Sequence, residues 1–253
     1  TTEIYTLSLH DALPILVNAL SQDFCVMSGT LIPGMLKSMS WNINRKNKDL
    51  RFFEIGKIYR RHGENKFSEE LTLSIGMTGN NAIDWMSETR MITFFDIKGA
   101  VCELLKRLGA RGFTVKKADN LSYYSAEGCI EIGGEEIGAI GKIDARAADS
   151  FDIKENIYCA EINIQKLLKH IDLDNKFSPV PRFPSVTRDL SIMSDNTITG
   201  EQIKDEIRLS GSSLLKKVTL ENLYKGKQLP DGKVGLLYRL EFRDDERTLT
   251  DDE

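Results

Sequence analysis

The sequence predicts an α+β protein built on antiparallel sheets and organised as two units with a proline-rich linker between them. Three observations carry that reading. Residues 71–78 alternate apolar and polar side chains strictly, as a strand does. Residues 94–109 repeat apolar residues at helical spacing. Residues 173–186 hold three of the six prolines and separate these elements from a second run of strand, helix, strand, strand. Proline lacks a backbone donor and disfavours helix in the residue before it, so such a stretch runs extended.

A chain of 253 residues with 41% hydrophobic and 28% charged residues can hold two cores. No apolar run approaches the roughly 18 residues of a membrane-spanning helix, and no membrane partner is expected. A net charge of -4 argues against attachment to nucleic acid by bulk charge and leaves a local basic face as the alternative. Cys25, Cys102, Cys129 and Cys159 lie far apart with no CxxC pair. They read as small buried residues of a protein in a reducing cytoplasm rather than zinc ligands.

In the first unit, LIPGMLKSMSWNIN (31–44) predicts a helix, with Pro33 in its first turn and Leu36, Met39 and Ile43 on one face. LRFFEIGKIYRR (50–61) is apolar on both faces and predicts a central strand. In the strand that follows, Leu71, Leu73, Ile75 and Met77 are expected to face the core, and Thr72, Ser74, Gly76 and Thr78 to face away. FFDIKGAVCELLKRLG (94–109) predicts a helix with Ile97, Val101, Leu104 or Leu105, and Leu108 inward. Lys106 and Arg107 suit its dipole, and Gly109 its end. Shorter strands follow at 113–117, 129–132 and 136–144, with Gly133-Gly134 as a hairpin turn, then a strand at 158–164 running into a short helix.

In the second unit, RDLSIMSD (188–195) predicts a strand and TGEQIKDEIRLSG (199–211) a helix, with Thr199 and Gln202 spaced as a capping box and Gly211 near its end. Strands at 214–226 and 233–245 follow, the latter with Val234, Leu236, Tyr238, Leu240 and Phe242 on one face. TLTDDE (248–253) reads as a new helix start capped by Thr250. The order matches a ferredoxin-like βαββαβ unit lacking its last strand, so this unit is expected to be truncated.

The sequence holds no phosphate loop, no GxGxxG after a strand and no HExxH. His10, His62 and His170 sit in no nucleophile motif, and the acidic pairs read as solvated turns. No catalytic residue and no metal site are predicted. RFFE, with Arg51 and Glu54, is suited either to orienting a phosphate or an amino group or to pairing with neighbouring strands.

The motifs resemble a known family. A proline-rich lead at 181–184, Arg188-Asp189-Leu190, the Tyr224-Lys225-Gly226 turn and Arg247-Thr248-Leu249-Thr250 occur in the order seen in the C-terminal anticodon-binding domain of bacterial phenylalanyl-tRNA synthetase beta subunits. Upstream, VNALSQDFCVMSGTLIPGML, NINRKNKDLRFFEIGKIY and FFDIKGAVCELLKRLG are similar to that subunit's synthetase-like module, a class II fold that has lost catalysis. On this resemblance Arg51 and Glu54 are a remnant of the second class II motif. The implied organisation is a non-catalytic synthetase-like module at 16–172, a linker at 173–186 and a ferredoxin-like anticodon-binding domain at 187–253. The resemblance implies a cytoplasmic heterotetramer of two alpha and two beta chains. ATP, magnesium and phenylalanine are expected on the alpha chain or on parts of beta outside this sequence, and no cofactor on this chain, which alone is expected to be inactive. The other implied partner is tRNA(Phe), with Arg182, Arg188, Lys217, Tyr224 and Arg239 as candidate contacts. The chain departs from the family pattern at Met27-Ser28-Gly29-Thr30 and around 123–129, which suggests as an alternative a non-catalytic RNA-binding or scaffold paralogue that does not assemble with an alpha chain.

The opening TTEIYTLSLHDALPI (1–15) stands apart. Its codons can be written as the DNA of a widely used sequencing-library adapter read in frame. These fifteen residues are expected to be translated adapter, and His10 and Asp11 receive no function.

Overall fold

A computed structural model describes residues 26–62, 66–81, 89–118, 123–174, 179–226 and 229–250; the opening stretch lies outside them. The chain divides into two compact units, with the boundary after Asn175.

The first unit begins with helix α1 (Ile32–Ile43), strand β1 (Leu50–Arg61) and strand β2 (Phe67–Thr78), followed by helix α2 (Phe94–Arg107). Strands β3 (Phe113–Ala118), β4 (Tyr124–Ile132) and β5 (Glu135–Ile143), the short helix α3 (Ala145–Asp149), strand β6 (Ile157–Asn163) and the short helix α4 (Ile164–Leu168) complete it. The six strands form one sheet in the order β1-β2-β6-β5-β4-β3, each neighbour antiparallel to the next. Successive side chains on a strand point to opposite faces, and each face carries its own core. On one face α1 packs with Met35, Leu36 and Met39 against Leu50 and Cys159. On the other, Ile97, Val101 and Leu105 of α2, all fully buried, pack against Ala160 and Ile162. Of Leu104 and Leu105, the sequence's two alternatives, Leu105 takes the buried place.

Two expectations for this sheet are corrected. LRFFEIGKIYRR forms β1, which lies at the end of the strand order rather than at its centre. Leu50 and Ile58 are buried, but Phe53 and Ile55 on the opposite face are 74% and 57% exposed. Apolar residues on both faces signalled double burial, yet only one face of β1 is covered; the doubly covered position belongs to β6. In β2, Ile75 and Met77 pack against the core under α2 as expected, though half-buried, but Thr72, Ser74, Gly76 and Thr78 do not face away: they are the fully buried set. The cause is close approach of α1. A Cβ on Gly76 would lie 3.0 Å from Met35 Cγ and 3.1 Å from Met39 Cε, so this face admits only small residues. Thr78 satisfies its buried hydroxyl by donating to the Asn156 carbonyl at 2.9 Å.

The helix α2 starts on a device the apolar periodicity did not announce. Thr93 precedes it, its N–H and Oγ1 both donating to Asp96 Oδ2, at 2.7 and 2.9 Å. Arg90 adds a bidentate pair to the same carboxylate at 2.7 and 2.8 Å. This guanidinium, with help from Thr93, holds the Asp96 carboxyl far below the usual carboxylate range despite partial burial. Gly109 ends α2 at φ +72°, and Gly133-Gly134 turn the β4–β5 hairpin at φ +58° and +83°, values an L side chain rarely adopts.

The second unit comprises strand β7 (Val186–Asp195), helix α5 (Gly200–Ser210), strand β8 (Leu215–Tyr224) and strand β9 (Lys233–Phe242). The sheet order is β7-β9-β8 with antiparallel neighbours. Strand β9 therefore inserts between the two strands that α5 connects, as in the first four elements of a ferredoxin-like fold. The predicted capping box forms: Gln202 N–H donates to Thr199 Oγ1 at 3.3 Å and Thr199 N–H to Gln202 Oε1 at 2.8 Å. Ile203 and Ile207 of α5 cover Val218, Val234, Leu236 and Tyr238, so β9 buries the face its alternation predicted. Residues 251–253, in which the predicted closing helix would continue, lie outside the described residues.

Candidate RNA interface and a cavity in the first unit

Because α5 covers only one face of the second sheet, the other face is free of helix among the described residues. Residues paired directly across antiparallel strands share a face. Arg239 pairs with Asp189 and Thr219, Lys217 with Glu241, and Tyr224 with Gly235. These belong to the odd positions of β9, opposite buried Leu236 and Tyr238, so Lys217, Tyr224 and Arg239 stand together on the open face. Arg239 is held in place: Nε and a terminal nitrogen donate to the two carboxylate oxygens of Asp189 at 3.0 and 3.3 Å, and Glu221 lies 3.7 Å away. The Arg239 guanidinium keeps the Asp189 carboxyl below its ordinary range. A bulge between Leu220 and Asn222 turns Glu221 toward this pair. Tyr224 lies alongside Gly235, where an added Cβ would come within 3.6 Å of its ring, and is 48% exposed. Arg188 instead pairs with Leu240, on the face that α5 covers, and Arg182 is an exposed residue ahead of β7. The structure thus brings together three of the five candidate contacts and leaves Arg188 and Arg182 apart from them.

Arg51 and Glu54 do not converge either. Three residues apart on β1, they point to opposite faces. Arg51 donates to the Asn80 carbonyl at 3.1 Å and to Asn81 Oδ1 at 3.3 Å, while Glu54 lies near Gly34 of α1.

The face of the first sheet that carries α1 is open beyond the helix's N-terminus, where it forms a cavity of about 620 Å³. Its floor includes Thr72 of β2 and Glu161 and Asn163 of β6, and Ile32, Ile58 and Tyr123 contribute apolar wall. Glu161 Oε1 accepts from Leu31 N–H at 2.6 Å and Oε2 from Thr30 Oγ1 at 2.7 Å, so the carboxylate joins the start of α1 to the central strand. Burial pushes the Glu161 carboxyl up, and these two hydrogen bonds oppose the rise. Glu70 Oε2 accepts from Arg60 Nε at 3.2 Å and from Asn163 Nδ2 at 2.9 Å. Thr72 is buried and its hydroxyl has no hydrogen-bond partner. From the sequence Glu70 belonged to an acidic pair expected in a solvated turn and Thr72 was expected to face away from the core; both instead lie in β2, Glu70 half-buried and Thr72 buried, and Glu161 was not singled out. The available signal was Glu161 itself, the lone charge in the apolar run YCAEINI.

Comparison with known proteins agrees with this architecture. Residues 10–164 match the family model of the phenylalanyl tRNA synthetase beta chain CLM domain, and residues 181–253 that of the ferredoxin-fold anticodon binding domain. The chain belongs to the phenylalanyl-tRNA synthetase beta chain family. Among curated relatives, the phenylalanine–tRNA ligase beta subunit of Clostridium acetobutylicum is 33% identical over 239 residues, covering 92% of this chain and 29% of that protein. The beta subunit of Dehalococcoides mccartyi strain 195 is 36% identical over 236 residues, with coverage of 92% and 29%. That of Thermotoga maritima is 34% identical over 248 residues, with coverage of 97% and 31%. The chain therefore spans about three tenths of the length of these beta-chain relatives. Among solved structures, a pyrrolysyl-tRNA synthetase from Desulfitobacterium hafniense aligns with 63% of this chain and 53% of its own, with a TM-score of 0.49 at 15% identity, a likeness too slight to carry an argument. The beta-chain match begins at residue 10 and so takes in six residues of the stretch read as adapter. Except for Lys166, the cavity lining falls within the matched beta-chain module.

Proposed function

We propose that the chain acts as part of the beta subunit of a cytoplasmic phenylalanine–tRNA ligase, a heterotetramer of two alpha and two beta chains. In this reading the first unit is a class II-like module that packs against the alpha chain and supports its active site, and the second binds the anticodon stem-loop of tRNA(Phe). The observation that carries it is the face of β7-β9-β8 that bears no helix among the described residues and carries Lys217, Tyr224 and Arg239, within a region matching an anticodon-binding family. Anticodon bases are unstacked and single-stranded, so an exposed aromatic ring can stack on them while cations meet the phosphates. Tyr224 supplies the ring. Lys217 supplies an exposed cation, and Arg239, anchored by Asp189, a fixed one.

ATP and magnesium are assigned to the alpha chain or to parts of the beta subunit outside this sequence. Arg51 and Glu54 diverge, and among the described residues no group of three His, Cys, Asp or Glu side chains converges as a metal site. No reaction step is placed on this chain, and alone it is expected to give no ATP–pyrophosphate exchange. Co-expression with the matching alpha chain tests the assembly. A complex that charges tRNA with phenylalanine once the beta chain is complete supports the reading. Failure of that beta chain to assemble favours the scaffold alternative. The adapter origin of residues 1–15 remains our proposal, tested by the raw reads: coding reads that cross residue 15 with different codons would sink it.

A further inference from the structure

From the cavity beside the start of α1, we propose that the first unit binds a small organic cation, a primary amine carried on an apolar body. Its volume of about 620 Å³ falls within the ~300–1,000 Å³ typical of small-molecule sites. Apolar walls from Ile32, Ile58 and Tyr123 frame a floor rich in polar side chains, among them Thr72, Glu161 and Asn163.

The sign of the ligand follows from the lining. Glu70, Glu136 and Glu161 outnumber Arg60 and Lys166 by one charge. Both cations are engaged. Arg60 Nε donates to Glu70 at 3.2 Å, and Lys166 Nζ to the Glu136 carbonyl at 2.7 Å. Glu161 is a buried acceptor set in the central strand; Arg60 is near enough to oppose its burial penalty but makes its hydrogen bond to Glu70, so an ammonium group beside Glu161 would give it a direct cationic partner. The second observation is Thr72. Its hydroxyl lines the cavity, the residue is 2% exposed, and the Oγ1 has no partner. A buried hydroxyl left unpaired costs stability unless something pairs with it, and an amine donor in the cavity would do so. The inference does not depend on the tRNA reading, since it concerns the other unit.

The test uses three probes that share an indole ring and differ in the charge of the arm it carries: tryptamine with an ammonium, indole-3-acetate with a carboxylate and indole with no arm, titrated against the full chain by calorimetry. Tryptamine is expected to bind saturably, indole more weakly and indole-3-acetate least. Thr72→Val keeps the volume and removes the hydroxyl. It is expected to raise the melting temperature of the free chain, because an unpaired buried group is gone, while weakening tryptamine at least tenfold. Glu70→Gln, at the exposed side of the floor, is expected to reduce the preference for tryptamine over indole. No saturable tryptamine binding, equal binding of indole-3-acetate, or a Thr72→Val protein that melts lower than the parent would each overturn the proposal.

Discussion

Asp96 takes part in two interactions at once: it closes the cap of α2 through Thr93 and it holds Arg90. Asp96→Asn keeps the shape but loses the charge that both partners use, and an N-terminal cap of this kind is worth about 1 kcal/mol, up to ~2. We expect the variant to lose that much unfolding free energy at pH 7, as read by urea denaturation. The pH sign is fixed by the depressed carboxyl. The unfolded state takes up the proton first, so the stabilisation is full above the ordinary value of 3.8 and is lost as pH falls from there toward the lower folded-state value. Parent and variant should therefore converge in acid; a gap that widens below pH 4 would refute the assignment. Tyr238 marks how residue-scale detail escapes the sequence. Alternation placed it inward, and it is fully buried, but its hydroxyl reaches across to donate to the Gly200 carbonyl at 2.8 Å, a partner 38 residues distant that no local pattern encodes.

Elements with one covered face were legible, and those whose partners decide the burial were not. The helix α2 and strand β9 each show a single apolar stripe, and both bury that stripe. In β2 the apolar stripe is the less buried one, because the Met35 and Met39 side chains of α1 press on its small polar residues. Such a contact depends on which helix arrives, a fact held elsewhere in the chain. The site divides in the same way. The register across β8 and β9 unites Lys217, Tyr224 and Arg239, whereas Arg188 lies on the other face because it pairs with Leu240. The parity of one strand does not reveal that without its neighbour's register. Close approach also makes a prediction. A Cβ on Gly138 of β5 would lie 2.2 Å from the Glu161 backbone oxygen of β6, an atom the sheet fixes. Gly138→Ala is expected to cost at least about 3 kcal/mol, the upper range for overpacking. A thermal-melt difference near zero would show that the two strands can part.

For the molecule as a whole, composition already limited the options. With a net charge of -4, the proposed contact with RNA has to come from a local face rather than from overall attraction. The fold supplies one in the second unit, a sheet face with an exposed tyrosine and two cations, one of them anchored by carboxylates. Two contributions should then separate. Lys217→Ala is expected to lower affinity for RNA of any sequence and to reduce the salt dependence by about one counterion. Tyr224→Ala removes a stacking platform worth ~1–3 kcal/mol per base, about 5- to 150-fold in affinity, and should leave the salt slope unchanged. The measurement that tests the account most directly is equilibrium binding of an RNA hairpin carrying the tRNA(Phe) anticodon loop to the full chain and to Tyr224→Ala, at several salt concentrations. The account predicts saturable binding by the parent, at least fivefold weaker in the variant with parallel salt slopes. Equal affinity of the two proteins, or no preference for this hairpin over one with a paired loop, would contradict it.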